Sequence, residues 1–207
     1  METKVSVYPV SEIPNSSIAS LERDYDDVSA MLSVAPYIEE AVDEEDFLLE
    51  LDNYPAKVEA DVVIPLFRLR AVLSEQLLYK GSDFEGENVK VFFVVAEINK
   101  VPYGGVFIFV KGEEVLMQGI SKFLVPFLEE LRGIKVYPKL NDLLQPVIES
   151  FVRKLGATKI SVKPIGKQKD ILVKYHGYHQ VNDILWYPSK NIKGRIGGRV
   201  DYLVKEL

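Results

Sequence analysis

The side chains of this 207-residue chain best suited to move a proton near neutral pH are its only two histidines, His176 and His179, which bracket Gly177. An imidazole changes charge in that range. No serine with an orienting acid accompanies them, so the pattern does not indicate a hydrolase triad. Two histidines on one turn read as surface groups. Two are also too few for a multi-histidine metal site. The chain has no cysteine, which removes disulfides, cysteine-based zinc sites, iron–sulfur clusters and thiol nucleophiles together and fits a reducing compartment. Glu39–Asp52 holds eight carboxylates and no Lys or Arg. Their spacing is not that of a calcium loop, and the run reads as a solvated helix face. Gly194, Gly197 and Gly198, interleaved with Lys193, Arg195 and Arg199, have the composition of a phosphate loop. They lack the Gly-Lys-Ser/Thr ending that such a loop needs and read as a tail.

These groups sit on a chain with a divided charge. Residues 1–61 carry 16 acidic and 3 basic side chains, whereas residues 62–207 carry 15 and 22. The bland reading is two solvated faces that attract each other within one fold. The sharper reading, a basic tail for nucleic acid, is the weaker one. No basic cluster is dense or interleaved with aromatics as single-strand binders require. With 47% hydrophobic and 27% charged residues, the chain can bury one sizeable core. No apolar run reaches the roughly 20 residues of a membrane span, and the start lacks a basic-then-apolar signal pattern. A cytoplasmic, membrane-free protein is expected, as a single domain over 1–207. It divides into an acidic helical part (1–80), a core of sheet and helices (81–188) and a basic tail (189–207).

The periodicity predicts the elements that must position any site. Lys4–Val10 alternates as an opening strand. Ile18, Leu21, Tyr25, Val28 and Leu32 recur at helical spacing, and Tyr37–Leu51 follows as a second, acidic helix. Val58, Ala60, Val62 and Ile64 alternate as a strand. Pro65 then opens a helix with Leu66, Leu69, Leu73 and Leu77 on one face. Residues 81–88 form a loop. Val89–Glu97, Val106–Lys111 and Val115–Phe123 form an antiparallel meander, with residues 98–105 as a Pro/Gly connection. A long connection, Leu124–Asn141, leads to a helix starting near Leu143. There Pro146 is tolerable within the first turn, and Leu144, Ile148, Phe151 and Leu155 share a face. Thr158–Pro164 is a strand, Gly166–His176 a short helix, and Tyr178–Tyr187 a last strand. Val200–Val204 adds an edge strand.

This order, strand, helices, three-strand meander, helix, strand, helix, strand, resembles the GNAT acyltransferase superfamily. The local text from Leu140 to Tyr178 carries the likeness. Leu155–Gly156–Ala157 ends the long helix, Ile160–Val162–Pro164 marks a parallel strand, and Gly177–Tyr178 matches the terminal Gly-aromatic pair. The resemblance covers residues 89–187 by local pattern and 1–80 by element order. It implies an α/β (α+β) fold: a mixed central sheet with an antiparallel meander, a splayed parallel strand pair and flanking helices. It further implies that acetyl-CoA enters the gap beside Phe123–Val125. The pyrophosphate would rest on backbone amides of a loop at Arg132–Gly133, where Lys135 adds a charge. Lys135 and Tyr137 stand where the family has small residues, and Pro138 removes an amide.

The general-acid tyrosine of the family falls on Val173. Tyr175, two residues before Gly177, is the candidate substitute, though an aromatic at a helix end is the more ordinary role. Glu97, Glu113 and Glu114 are the carboxylates considered as general base, and Gln118 cannot act as one. Two functions therefore stay open. One is an acyl-CoA-dependent N-acyltransferase acting on an unknown amine. The other is a non-catalytic GNAT-fold structural or interaction protein that has lost acetyl-CoA binding, similar to proteins encoded by bacteriophages, located in the cytoplasm or assembled into a viral particle, with a protein partner.

Overall fold

A computed structural model describes residues 2–33, 57–79, 88–164, 168–186 and 199–207. The expected acidic helix over 37–51 and the glycine-rich tail lie outside the described residues, as does nearly all of the expected loop over 81–88.

Seven strands form one sheet: β1 (Thr3–Pro9), β2 (Lys90–Ile98), β3 (Val101–Lys111), β4 (Glu114–Lys122), β5 (Lys159–Val162), β6 (His179–Asp183) and β7 (Val200–Glu206). Their order across the sheet is β1-β2-β3-β4-β5-β7-β6. All neighbours are antiparallel except β4 and β5, which are parallel. The helices are α1 (Asn15–Ser33), α2 (Lys57–Tyr79), α3 (Leu124–Leu131), α4 (Leu140–Lys154) and α5 (Gln168–His176). The mixed sheet, the meander β2–β3–β4 and the single parallel pair make the GNAT-like arrangement that the sequence implies.

The core has two halves, one on each face of the sheet. Side chains alternate across a strand, so Leu116 packs with Leu21, Val28, Leu69 and Leu73 on the α1/α2 face. Its neighbours Val115 and Met117 pack with Leu144, Ile148 and Val152 of α4 on the other. The nearly unbroken apolar text of β2 and β3 follows from this: a strand covered on both faces has no polar side.

Several expectations are corrected. Val58–Ile64 belongs to helix α2, which runs through Pro65. Four alternating residues are a weak strand signal beside a stripe in which Leu66, Leu69, Val72 and Leu73 are all buried, and packing decides between the two. The connection expected at 98–105 is a two-residue turn, Asn99–Lys100, with φ of 50° and 68°. That is the mirror-type turn that suits a hairpin's twist; without a glycine it was invisible.

The expected connection 124–141 contains α3. Its first amide, Leu124 N–H, donates to Asp24 Oδ2 of α1 at 2.6 Å, a cap supplied from far along the chain. Helix α4 begins at Leu140, earlier than expected, and keeps Pro146 inside it. The last strand is shorter, ending at Asp183. β7 is no edge: it inserts between β5 and β6.

Candidate functional site

β4 and β5 pair only from Glu114↔Lys159 to Met117↔Val162. Beyond that point β4 continues through Gln118–Lys122 without β5 beside it. The cause lies in β4 itself. On β3, Phe107 and Gly105 are two residues apart; their partners on β4, Gln118 and Ser121, are three apart. β4 therefore holds an extra residue, a β-bulge, which bends a strand and increases its twist. Gly119 sits there with φ of 72°, a left-handed conformation that a side chain opposes.

Helix α2 closes over the bulge. Gln76 is fully buried. Its Nε2 donates to Gly119 O and, at 3.3 Å, to Gly105 O. A Cβ on Gly119 would lie 3.0 Å from Gln76 Cγ. The next residue toward the N-terminus, Glu75, is half-buried. Burial pushes its carboxyl above the usual range, and the Lys163 ammonium, just past the end of β5, opposes that rise.

At the parting of the strands lies a groove of about 390 Å³. Its walls come from α2 (Arg68, Val72), the end of β4 (Ser121, Lys122), the start of α4 (Lys139, Asn141) and α5 (Ile171). Helices from both faces of the sheet line it. That is possible because no strand continues alongside β4 here. Arg68, Lys122 and Lys139 give the groove a positive rim.

The loop that follows α3 is closed on itself. Gly133 N–H donates to Glu130 O, and the amides of Ile134 and Lys135 donate to Glu129 O. Tyr137 N–H donates to Glu130 Oε1 at 3.3 Å. The other carboxylate oxygen of Glu130 meets the Lys122 ammonium, and the Tyr137 hydroxyl donates to Glu129. The Glu130 carboxylate thus satisfies both the Lys122 ammonium and the Tyr137 amide. Arg132 and Gly133 are exposed on this loop. Lys135 lies over the Tyr137 ring at 4.8 Å. Hydrogen bonding to Tyr137 holds its ammonium above the usual value, although the group is fully exposed.

Phe123, Val125 and Lys135 line a different cavity, about 310 Å³, shared with Asp24, Tyr103 and Tyr137. Phe123 is buried and its amide donates to Tyr103 O at 2.8 Å; Val125 is exposed within α3. The gap therefore opens beside Gln118–Lys122, one step earlier in the chain than expected. Tyr175 is 58% exposed. The ammonium of Lys139, a residue of the groove wall, lies 4.9 Å from its ring centre. The other candidates do not converge. Glu114 begins β4, about 16 Å from Gly119 at the usual rise of a strand, and Glu113 lies one residue further off; Glu114 pairs with Lys159 at 2.6 Å. Glu97 lies in β2, opposite Lys4 and Pro102. His176 Nε2 lies 3.3 Å from Asp142 Oδ1, and His179 is exposed on β6. Tyr178 is buried, with its hydroxyl accepting from Gln145 Nε2 at 2.8 Å; burial raises its pKa. It is a core residue. No cluster of metal-binding side chains occurs among the described residues, and none of the described helices is long and apolar enough to cross a membrane.

Sequence reasoning missed Glu75, Gln76, Gly119, Ser121, Lys122 and Lys139. Two signals were available. A lone glycine inside a strand pattern marks a bulge, and Gln76 takes the next helical step of the Leu66–Leu69–Leu73 stripe, where an apolar residue belongs.

No family model matches the chain, and no curated protein matches it. Solved structures resemble it along nearly its whole length. An acetyltransferase from Streptococcus agalactiae is 14% identical, over 99% of this chain and 98% of its own, with a TM-score of 0.47. Escherichia coli ElaA is 13% identical over 99% and 100%, with a TM-score of 0.45. The PaiA N-acetyltransferase of Thermoplasma acidophilum, solved in complex with coenzyme A, is 9% identical over 100% of both chains, with a TM-score of 0.42. The fold assignment rests on the strand order, the antiparallel meander and the single parallel pair.

Proposed function

We propose that this protein is a divergent GNAT acyltransferase that takes an acyl-CoA and transfers its acyl group to an amine. One observation carries the reading: the bulge at Gly119 turns β4 away from β5 and opens a groove through the sheet, walled by Arg68, Lys122 and Lys139. A thioester arm fits such a slot, and its phosphates fit those cations. The closed loop does not fit a pyrophosphate. The amides of Gly133, Ile134, Lys135 and Tyr137 are already donated inside the chain, so side chains would have to replace most of the amide cradle of the family.

Catalysis would rest chiefly on orientation. The amine lone pair forms a bond to the thioester carbonyl carbon, the carbon–sulfur bond breaks, and the thiol leaves. Glu75 takes the proton lost by the amine, a role that suits a carboxylate whose affinity for protons is raised by burial. Tyr175, beside Lys139, is the side chain nearest in kind to the family's proton donor for the sulfur.

A second reading has its own observation. Glu130 tied to Lys122 and to the Tyr137 amide makes an internal substitute for a bound phosphate, which suits a GNAT-fold protein that has lost the cofactor and serves as an interaction module. Thiol release separates the two. The chain has no cysteine, so a thiol reagent reports only liberated coenzyme A. Incubation with acetyl-CoA and a panel of primary amines should release thiol in step with protein concentration for at least one amine. No release, together with no binding of acetyl-CoA at millimolar concentration, establishes the second reading.

A further inference from the structure

We propose that the bulge of β4 carries a subsite for a hydrogen-bond-donating group, an amine or ammonium, built from the side chains of Gln76, Gln118 and Ser121. It deepens the acyl-transfer reading, on which it rests only for the statement that this group belongs to the acceptor.

The three side chains face the same way. Gln118 stands opposite Phe107, whose ring packs on the α1/α2 face. Ser121 stands opposite Gly105. A Cβ on Gly105 would point at the Phe93 ring, 2.7 Å away, and Phe93 belongs to the same face. Gln76 reaches Gly119 between them from α2. The extra residue of the bulge is what lets Gln118, Gly119 and Ser121 all turn toward α2.

All three are more than nine-tenths buried, with exposures of 0%, 9% and 8%. Gln76 Oε1, Gln118 Oε1 and Ser121 Oγ each lack a hydrogen-bond partner among the described residues. Native folds leave few such atoms unpaired, yet three occur within four residues of one strand and the glutamine that clasps it. The orientation of Gln76 follows from its partners: Nε2 is committed to two carbonyls, so the oxygen is the free end. Two of the three atoms can only accept, and the third can accept. Their complement is a group rich in N–H donors. Ser121 also lines the groove, so one of the three acceptors reaches the outside.

The test is thermal unfolding of the full chain titrated with n-propylammonium chloride and, in parallel, with tetramethylammonium chloride. Both probes carry one positive charge, but the second has no N–H. The proposal expects a saturable rise in melting temperature with propylammonium alone, lost in Gln118→Leu and in Ser121→Ala. Ligand-free Gln118→Leu should melt at or above the wild type, because an orphaned acceptor is gone. If that variant fails to fold, Ser121→Ala decides alone. Equal shifts with both salts, no shift with either (an ordered water only), or a shift that survives Ser121→Ala overturns the subsite. Titration with acetyl-CoA keeps the two claims apart. A propylammonium-specific rise without acetyl-CoA binding sinks acyl transfer and leaves the subsite standing; acetyl-CoA binding without that rise does the reverse.

Discussion

Met117 and Val162 are the last residues to face each other across the parallel strands β4 and β5. Two residues further on, Gly119 takes a left-handed conformation, and the strands no longer run together. The opening is thus built into the backbone of β4 rather than borrowed from a loop, and Gln76 holds it by bonding the carbonyls of Gly105 and Gly119.

Gly119 should resist substitution more than any other position of β4. Gly119→Ala forces a side chain into φ of 72° with its Cβ 3.0 Å from Gln76 Cγ. The expected loss is about 1–3 kcal/mol of stability, read from urea unfolding, with a larger proportional loss of acetyl-CoA binding. A neutral effect on both would mean that the bulge does not shape the groove.

Glu75 and Asp24 bear on the pH dependence of stability. Burial raises both carboxyl pKa values above the ordinary 4.5 and 3.8. The folded state therefore holds protons that the unfolded state has released, and stability falls as pH rises from below those ordinary values toward the folded ones. Lys163 opposes the shift at Glu75, while Arg23 and the Leu124 amide oppose it at Asp24. Glu75→Gln should then flatten the decline over the range in which pH rises above 4.5 toward the raised value of the folded state. If Glu75 is the base, the same variant lowers kcat/KM and removes the acid limb of its pH profile. A flat profile in the wild type over that range would exclude Glu75 from the role.

Glu130→Gln tests the internal phosphate substitute. The change removes the charge that holds Lys122 and keeps a group that can still accept from the Tyr137 amide. Coenzyme A should bind more tightly by about 1 kcal/mol, roughly fivefold, measured by calorimetry. Weaker binding would show that Glu130 orders the site instead of competing for it.

Tyr178→Phe addresses one of the three local patterns that carry the resemblance. Its hydroxyl accepts from Gln145 Nε2 and lies 3.9 Å from Met117 Sδ. Removing it should cost about 1 kcal/mol in thermal or chemical unfolding and leave thiol release unchanged. A large drop in turnover at unchanged stability would assign the buried tyrosine a catalytic part.

The sequence made the meander, α1, α4 and β5 legible because each carries a period that its burial enforces: Leu144 and Ile148 on one helix face, the double-sided apolar text of β2 and β3. It concealed elements whose stability is supplied from elsewhere. Helix α3 is capped by Asp24 of α1, and the β2–β3 turn uses Asn99 and Lys100 where glycine is the usual sign. The resemblance implied a gap beside Phe123–Val125, whereas β4 and β5 stop pairing before Gln118, and Phe123 and Val125 belong to α3 and its start. Glu75 and Gln76 were hidden for another reason. Their residue types become informative only once α2 is laid across the bulge, and that contact is long-range.

The most direct measurement is a calorimetric titration of the wild-type protein with acetyl-CoA, repeated on Lys122→Ala and Lys139→Ala. A groove opened by the Gly119 bulge and rimmed by these lysines predicts saturable one-to-one binding that weakens in both variants. Absence of any heat of binding at millimolar acetyl-CoA, or binding that neither variant disturbs, would contradict it.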